Sequence, residues 1–207
     1  MSIESKQDYI FYMKADEVSL FIPEGSLGRI RERLLNRIWK FQRILRQTEY
    51  YTNCRKGKIW LPFVVIMQYR LSRYGFKLGY EIPPNVFGPG LSIAHQGSII
   101  VNRYARIGEN CRINNGVTIG TQAGFSDRCP TIGKNAFIGP GAQIFGSITI
   151  GDNVAIGANA VVTKSFLEDG ISIGGVPARK ISEKGSRKLH INSIERLKAR
   201  QEKESKN

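Results

Sequence analysis

Through the middle of this chain an aliphatic residue returns every six positions. Val101, Ile107, Ile113 and Ile119 keep that step, an interruption follows, and Ile132, Ile138, Ile144, Ile150, Ile156 and Val162 resume it. A helix returns to one face near every 3.6 positions and a half-buried strand every two, so neither produces this register. Four places after each aliphatic residue stands a small or apolar one: Ala105, Cys111, Val117, Ala123, Ala136, Ala142, Ile148, Val154, Ala160 and Phe166. Glycine follows directly at 108, 120, 133, 139, 151 and 157. Each six residues therefore read as one short strand and a turn, and the stacked coils bury a continuous apolar column. The aliphatic residue points inward, the small residue keeps the narrow interior from overfilling, and glycine or another permissive residue takes the corner.

The pattern predicts a mainly β fold, a parallel β-helix of hexapeptide repeats. It spans residues 79–182, behind a small basic α-helical region at 1–78 and ahead of a basic tail at 183–207. Prolines and glycines in residues 76–92 stop the helices, and Phe87 leads into Ile93 in step, so the first coil starts near Ile82. The three cysteines, at 54, 111 and 129, are odd in number and unpaired in spacing, which argues for a reducing compartment. Cys111 reads as a filler of the coil interior. No charged segment followed by an apolar run opens the chain, and the longest apolar stretch, 59–69, falls short of a bilayer span. The expected location is cytoplasmic.

The net charge of +14 lies outside the repeats: residues 1–80 carry 15 Lys and Arg against 7 acids, whereas residues 81–182 carry 8 against 6. Residues 26–48 read as one amphipathic helix with Ser26 as N-cap. Ile30, Leu34, Ile38, Phe41 and Leu45 share a face, and Arg31, Arg33, Arg37, Lys40 and Arg43 supply the rest. A second helix spans about 61–73, with Pro62 in its first turn. This basic surface fits a solvated face, or peripheral contact with anionic lipid at the inner side of a membrane. No motif beyond charge points to nucleic acid.

Histidine is the side chain whose unperturbed titration falls near neutrality, and the chain has two. His190, in the polar tail, reads as an ordinary exposed residue. His95 stands in the first coil two residues after the inward Ile93, with Ala94 and Gly97 offering little polar competition. A metal-dependent hydratase on such a fold would need three histidine ligands, and the repeats offer one, so no metal is expected.

Four segments carry a family likeness, in order: Gly90-Leu91-Ser92-Ile93-Ala94-His95, Gly116-Val117-Thr118-Ile119-Gly120-Thr121, Asp127-Arg128-Cys129-Pro130-Thr131-Ile132-Gly133, and Gly174-Gly175-Val176-Pro177-Ala178-Arg179. Over residues 80–182 the chain resembles the serine acetyltransferase branch of the hexapeptide acyltransferases; the first 75 residues resemble it only loosely. The resemblance implies left-handed coils, a homotrimer with active sites between subunits, and acetyl-CoA as donor lying along that cleft. His95 would be the general base. Glu81 is the nearest candidate for the carboxylate that orients it, at the cost of a one-residue shift. The resemblance places backbone N–H groups of Gly120 and Thr121 at the pantetheine arm and the reacting oxygen. It puts Gly139, Ala158, Lys164 and Arg179 along the cofactor; for the two cations surface solvation is the plain alternative.

Two departures bear on the acceptor. The serine enzymes carry an Asp immediately before the catalytic His, where this chain has Ala94, and a second His after the Asp-Arg pair, where it has Cys129. Without that carboxylate an ammonium loses its obvious partner. The Gly-Tyr-Glu-Ile entry and the Cys-Pro-x-Ile-Gly loop look like the capsule and exopolysaccharide relatives. The expectation is therefore acetyl transfer to a sugar hydroxyl of a cell-surface polysaccharide or its precursor, an acidic sugar included. The alternative is serine O-acetylation in L-cysteine synthesis. Asp127, Arg128 and Cys129, in the insertion 124–131 that breaks the six-residue count, would line the acceptor pocket and reach over a neighbouring subunit.

Overall fold

The computed structural model describes residues 2–204; Met1 and residues 205–207, the end of the basic tail, lie outside the described residues. The chain opens with a helix that the sequence reading missed, α1 (Lys6–Ser19), capped by Ser5, whose hydroxyl accepts from the Asp8 N–H at 3.0 Å. The segment expected as one helix at 26–48 is two, α2 (Ser26–Leu35) and α3 (Arg37–Cys54). They part at Asn36, which leaves helical geometry and caps α3 by accepting from the Trp39 N–H at 2.9 Å. Ser26 is the first helical residue and Gly25 the cap position. The break also splits the expected apolar face: Phe41 and Leu45 are buried, whereas Ile30 and Leu34 are exposed on α2. The fourth helix, α4 (Leu61–Leu78), has Pro62 in its first turn as expected and ends at Gly79 in the left-handed conformation, φ +79°.

The coil follows as β1 (Tyr80–Glu81), β2 (Ser92–Ile93), β3 (Ile99–Val101), β4 (Arg106–Ile107), β5 (Arg112–Ile113), β6 (Val117–Gly120), β7 (Thr131–Ile132), β8 (Phe137–Ile138), β9 (Gln143–Phe145), β10 (Thr149–Ile150), β11 (Ala155–Ile156), β12 (Val161–Val162), β13 (Ser172–Gly174) and β14 (Arg179–Ser182). They form three walls: β1-β3-β6-β9-β12, then β4-β7-β10, then β2-β5-β8-β11-β13, parallel throughout and closed at one end by antiparallel β14. The chain visits the walls in rotation, which makes a three-sided parallel coil. Register explains the six-residue step. Ile113 pairs with Ile93 and Ile138, Ile119 with Val101 and Ile144, and Ile132 with Ile107 and Ile150. All ten aliphatic positions are buried. Of the companion positions Ala123 is exposed, because the interrupting loop has already left the wall there.

The glycines that follow the aliphatic residues work differently from the expectation. None of those six has positive φ. They are needed for space: a Cβ on Gly108 would lie 2.8 Å from the carbonyl carbon of Gly133, and one on Gly133 2.6 Å from the Gly151 carbonyl oxygen. On the edge between second and third walls the left-handed corners belong to Asn110, Asn135 and Asn153, with φ of +57°, +54° and +58°. Their amides stack, Asn110 Nδ2 donating to Asn135 Oδ1 and Asn135 Nδ2 to Asn153 Oδ1, each at 3.0 Å. The tail runs back along this asparagine edge. Asn110 Nδ2 also donates to Asn192 Oδ1 at 2.8 Å, Ser193 Oγ donates to Asn110 Oδ1 at 2.6 Å, and the last helix, α5 (Ser193–Glu204), packs against α1. His190, expected to be exposed, is half-buried here, and burial pushes its imidazole pKa down.

The helices are fastened to the first coil by buried charge. Arg46 reaches Asp16 at 2.9 Å and Glu49 at 3.0 Å and donates to the carbonyls of Phe87, at 2.9 Å, and Gly88, at 2.7 Å. Asp16 accepts from the N–H groups of Gly90 and Leu91, both at 2.9 Å, and Gln42 donates to the Leu91 carbonyl at 2.8 Å. All four side chains are buried, and each polar group in the set is satisfied by another or by the coil backbone. Among the described residues no helix is long and apolar enough to cross a membrane.

Candidate functional site

This clamp holds the segment that ends in His95. Ser92 and Ile93 are locked in β2, the Ala94 N–H donates to the Ile113 carbonyl at 2.9 Å, and the Gly97 N–H donates to the Leu78 carbonyl at 3.1 Å. The His95 carbonyl accepts from the Tyr80 hydroxyl at 2.9 Å. Tyr80 is buried against Phe41 of α3, rings 5.0 Å apart and edge-on, and burial raises its phenol pKa well above the ordinary value, so it stays a neutral donor. The imidazole itself is exposed. The result is a free ring on a fixed backbone, at the edge between third and first walls.

Sequence reasoning did not find Tyr80, since its role depends on a strand pairing that brings residue 80 beside the turn at 95–98. Glu81 was found and is placed differently from its expected role. It lies on the outer side of β1 opposite Ile100, lines a cleft of about 500 Å³ against α4 with Ser72 and Phe76, and makes no hydrogen bond or ion pair with His95. Alternation along the strand sends Tyr80 inward and Glu81 outward.

The insertion forms a closed loop on the edge between first and second walls. The Gln122 N–H donates to the Arg128 carbonyl at 2.9 Å, and Thr121 Oγ1 donates to the Phe125 carbonyl at 2.6 Å. The Arg128 guanidinium stacks on the exposed Phe125 ring, 3.5 Å from its centroid. It has no acidic partner among the described residues, so its donors are open to a ligand carboxylate. Asp127 is exposed beside it. Cys129 is not available in the same way: it is 9% exposed, and burial raises its thiol pKa, opposed in part by a hydrogen bond with Thr121. A thiol in that state is a packing group, not a thiolate.

The remaining candidates divide between edges. Gly139 and Ala158 belong to the His95 edge; Gly120, Thr121 and Lys164 lie on or beside the loop edge. The ring of Phe145 covers Gly120, where a Cβ would come within 2.7 Å. Lys164 is exposed with its ammonium 5.4 Å from the Phe166 ring centroid, and Arg179 is exposed on β14. A single prism therefore does not bring His95 and the loop together.

Residues 129–164 match the bacterial transferase hexapeptide (six repeats) family. Over those residues the coil is similar to that of the bacterial hexapeptide transferases. The chain is 36% identical over 141 residues to a serine acetyltransferase of Synechococcus elongatus, covering 65% of this chain and 57% of that relative. It thus spans less than two thirds of that relative's length. The serine acetyltransferase of Brucella abortus, solved in complex with coenzyme A, is similar at a TM-score of 0.69 and 27% identity, covering 88% of this chain and 71% of that one. The serine acetyltransferase of Neisseria gonorrhoeae, solved in complex with serine, is similar at 0.62 and 27% identity, covering 86% and 71%.

These likenesses overturn the expectation of a sugar or polysaccharide acceptor, because the acyltransferases that the chain resembles are serine acetyltransferases, one of them solved with serine. The physical basis of the expectation is also weaker than the sequence suggested. Cys129 is turned into the wall, so replacing a histidine there does not shape a sugar pocket directly, and the loop still presents an acid and an arginine side by side.

Proposed function

We propose that the chain transfers the acetyl group of acetyl-CoA to the hydroxyl of L-serine. The observation that carries this reading is His95, an exposed imidazole on a backbone fixed from below by Tyr80 and from behind by the buried clamp. His95 takes the proton of the serine hydroxyl while that oxygen attacks the thioester carbonyl. The carbon–oxygen bond forms, the carbon–sulfur bond breaks, and coenzyme A leaves as its thiol with the proton passed on by the imidazolium. No protein nucleophile is required.

The acceptor is a zwitterion, and the loop offers a complement to it: Arg128 for the carboxylate and Asp127 for the ammonium, the latter standing in for the acid missing at Ala94. Backbone N–H groups at Gly120 and Thr121 suit the developing oxyanion. Gly139 and Ala158 give a side-chain-poor edge for the pantetheine arm, and the exposed cations Lys164 and Arg179 suit its phosphates. Glu81, turned away from His95 within one chain, has a place in the reaction only if the occupied cleft re-aims it. Because the base and the loop stand on different edges, the reading requires two copies side by side, the His95 edge of one facing the loop edge of the next, as in a closed trimer.

A thiol-release assay with L-serine, against D-serine, L-homoserine and neutral and acidic oligosaccharides, tests this directly. L-serine-dependent release abolished in Arg128→Lys and reduced about 10²–10⁴-fold in His95→Ala is expected. Release that is independent of L-serine, or that survives His95→Ala, would overturn it, and a native mass equal to one chain in the active protein would remove the shared cleft.

A further inference from the structure

We infer that the outer face of α4, with the groove beside it, docks on an anionic membrane surface by binding phosphate-bearing lipid headgroups. This goes beyond acetyl transfer and does not depend on it. Between Glu49 and Glu81 the sequence carries six cations, Arg55, Lys56, Lys58, Arg70, Arg73 and Lys77, and no acid. Three of them precede α4 and three lie in its second half. The first half is apolar, and only its inner side, Val64 and Met67, is half-buried: the fully buried residues of α4 are Leu71, Gly75 and Leu78, all near its end. Leu61, Phe63, Val65, Ile66 and Tyr69 are 49–65% exposed. Clustered exposure of this kind marks an interaction surface.

The groove supplies the polar half of the site. Lys40 of α3 faces Arg70, Arg73 and Lys77 of α4 across a space of about 260 Å³ flanked by Tyr69 and Tyr74, with no acid in its lining. None of the four cations forms an ion pair among the described residues. An apolar helix face bounded by cations at both ends is the arrangement of a segment lying in the headgroup plane, where each cation near the surface adds attraction to anionic lipid. A second copy docked face to face through the same segment is a poorer occupant, because apposing two acid-free segments sets six positive charges against six. The sequence pattern suggested such contact for the basic helical region at 1–78 as a whole; the proposal narrows it to α4, where exposed apolar residues and unpaired cations adjoin.

The test is co-sedimentation of the full chain with vesicles of phosphatidylcholine alone and of phosphatidylcholine with phosphatidylglycerol. At low salt, binding to the anionic vesicles is expected to exceed that to neutral ones at least about tenfold and to fall as salt shortens the screening length. The triple variant Arg70→Gln, Arg73→Gln, Lys77→Gln, and separately Phe63→Ser with Ile66→Ser, should each lose most of that binding while melting as the parent does, since these side chains are exposed. Equal binding to both vesicle types, or binding retained in both variants, would overturn the proposal. So would complete competition by millimolar inorganic phosphate, which would assign the groove to a soluble anion, or a concentration-dependent doubling of native mass abolished by the serine variants, which would assign the face to a second copy.

Discussion

In the coil, Ile93, Ile113, Ile138, Ile156 and Ile173 stack one above another in register, and every level repeats the level below. The helical region has no repeat, and its centre is an ion cluster, Arg46 between Asp16 and Glu49, sealed among helices and coil backbone. The coil distributes its stability over equivalent levels; the helical region concentrates much of its specificity in a few groups that fail together. The contrast teaches where each region is fragile. A coil tolerates the inserted loop 124–131 at one corner because neighbouring levels still pair, whereas a buried charge tolerates no missing partner.

The largest expected effect follows from that cluster. Arg46→Ala leaves two buried carboxylates without their cation and should cost about 3–5 kcal/mol. Both tryptophans, Trp39 and Trp60, lie in the helical region, so their fluorescence reports that region alone. In Arg46→Ala the fluorescence transition in urea should move well below the transition of the coil seen by circular dichroism; coincident shifts would break the division into two differently held regions. Next comes Ile138→Ala, which opens a cavity in the column and should cost about 2–5 kcal/mol. Ile113→Ala, one level away on the same wall, should cost the same within about 1 kcal/mol, and unequal values would break the picture of equivalent levels.

A smaller effect sharpens the contact between the regions. Tyr80→Phe keeps the ring on Phe41 and removes only the hydrogen bond to the His95 carbonyl, with a stability loss of about 1 kcal/mol. If that bond positions the base, kcat falls several-fold with the KM for acetyl-CoA unchanged; a change in melting alone would leave Tyr80 a purely structural residue. The smallest effect concerns the loop. Burial raises the Cys129 thiol pKa, so at a pH near the ordinary thiol value of about 8.5 the folded chain should be alkylated there more slowly than the unfolded chain. Because the folded form then holds its proton longer, this group lowers stability as pH rises above that value. Peptide mapping after iodoacetamide treatment measures the rates, and equally fast labelling at Cys129 in both states would show the loop to be open.

The six-residue step carried the coil because each inward position is decided by its own sequence phase, independent of anything distant. His95 was legible for the same reason, since its place after Ile93 follows from the count. The helix break at Asn36 and the whole of α1 were not legible, because an amphipathic stripe continues across the one and is weak in the other. A signal for the clamp was present: Gln42, Arg46 and Glu49 fall on or beside the stripe of Ile38, Phe41 and Leu45, where charged residues are out of place unless paired.

What the amino-acid order determined alone is the local phase: which side chains face inward along the coil, where the count breaks, and which histidine stands at an edge. Tertiary structure decided everything that joins distant residues. It gave Arg46 its partner Asp16 30 positions away and its carbonyls 41 and 42 away, set Tyr80 under His95, turned Glu81 outward and Cys129 inward, and left the outer face of α4 bare. The physical reason is that a period constrains only neighbours in sequence, whereas buried charges, backbone clamps and uncovered faces depend on which segments meet in space.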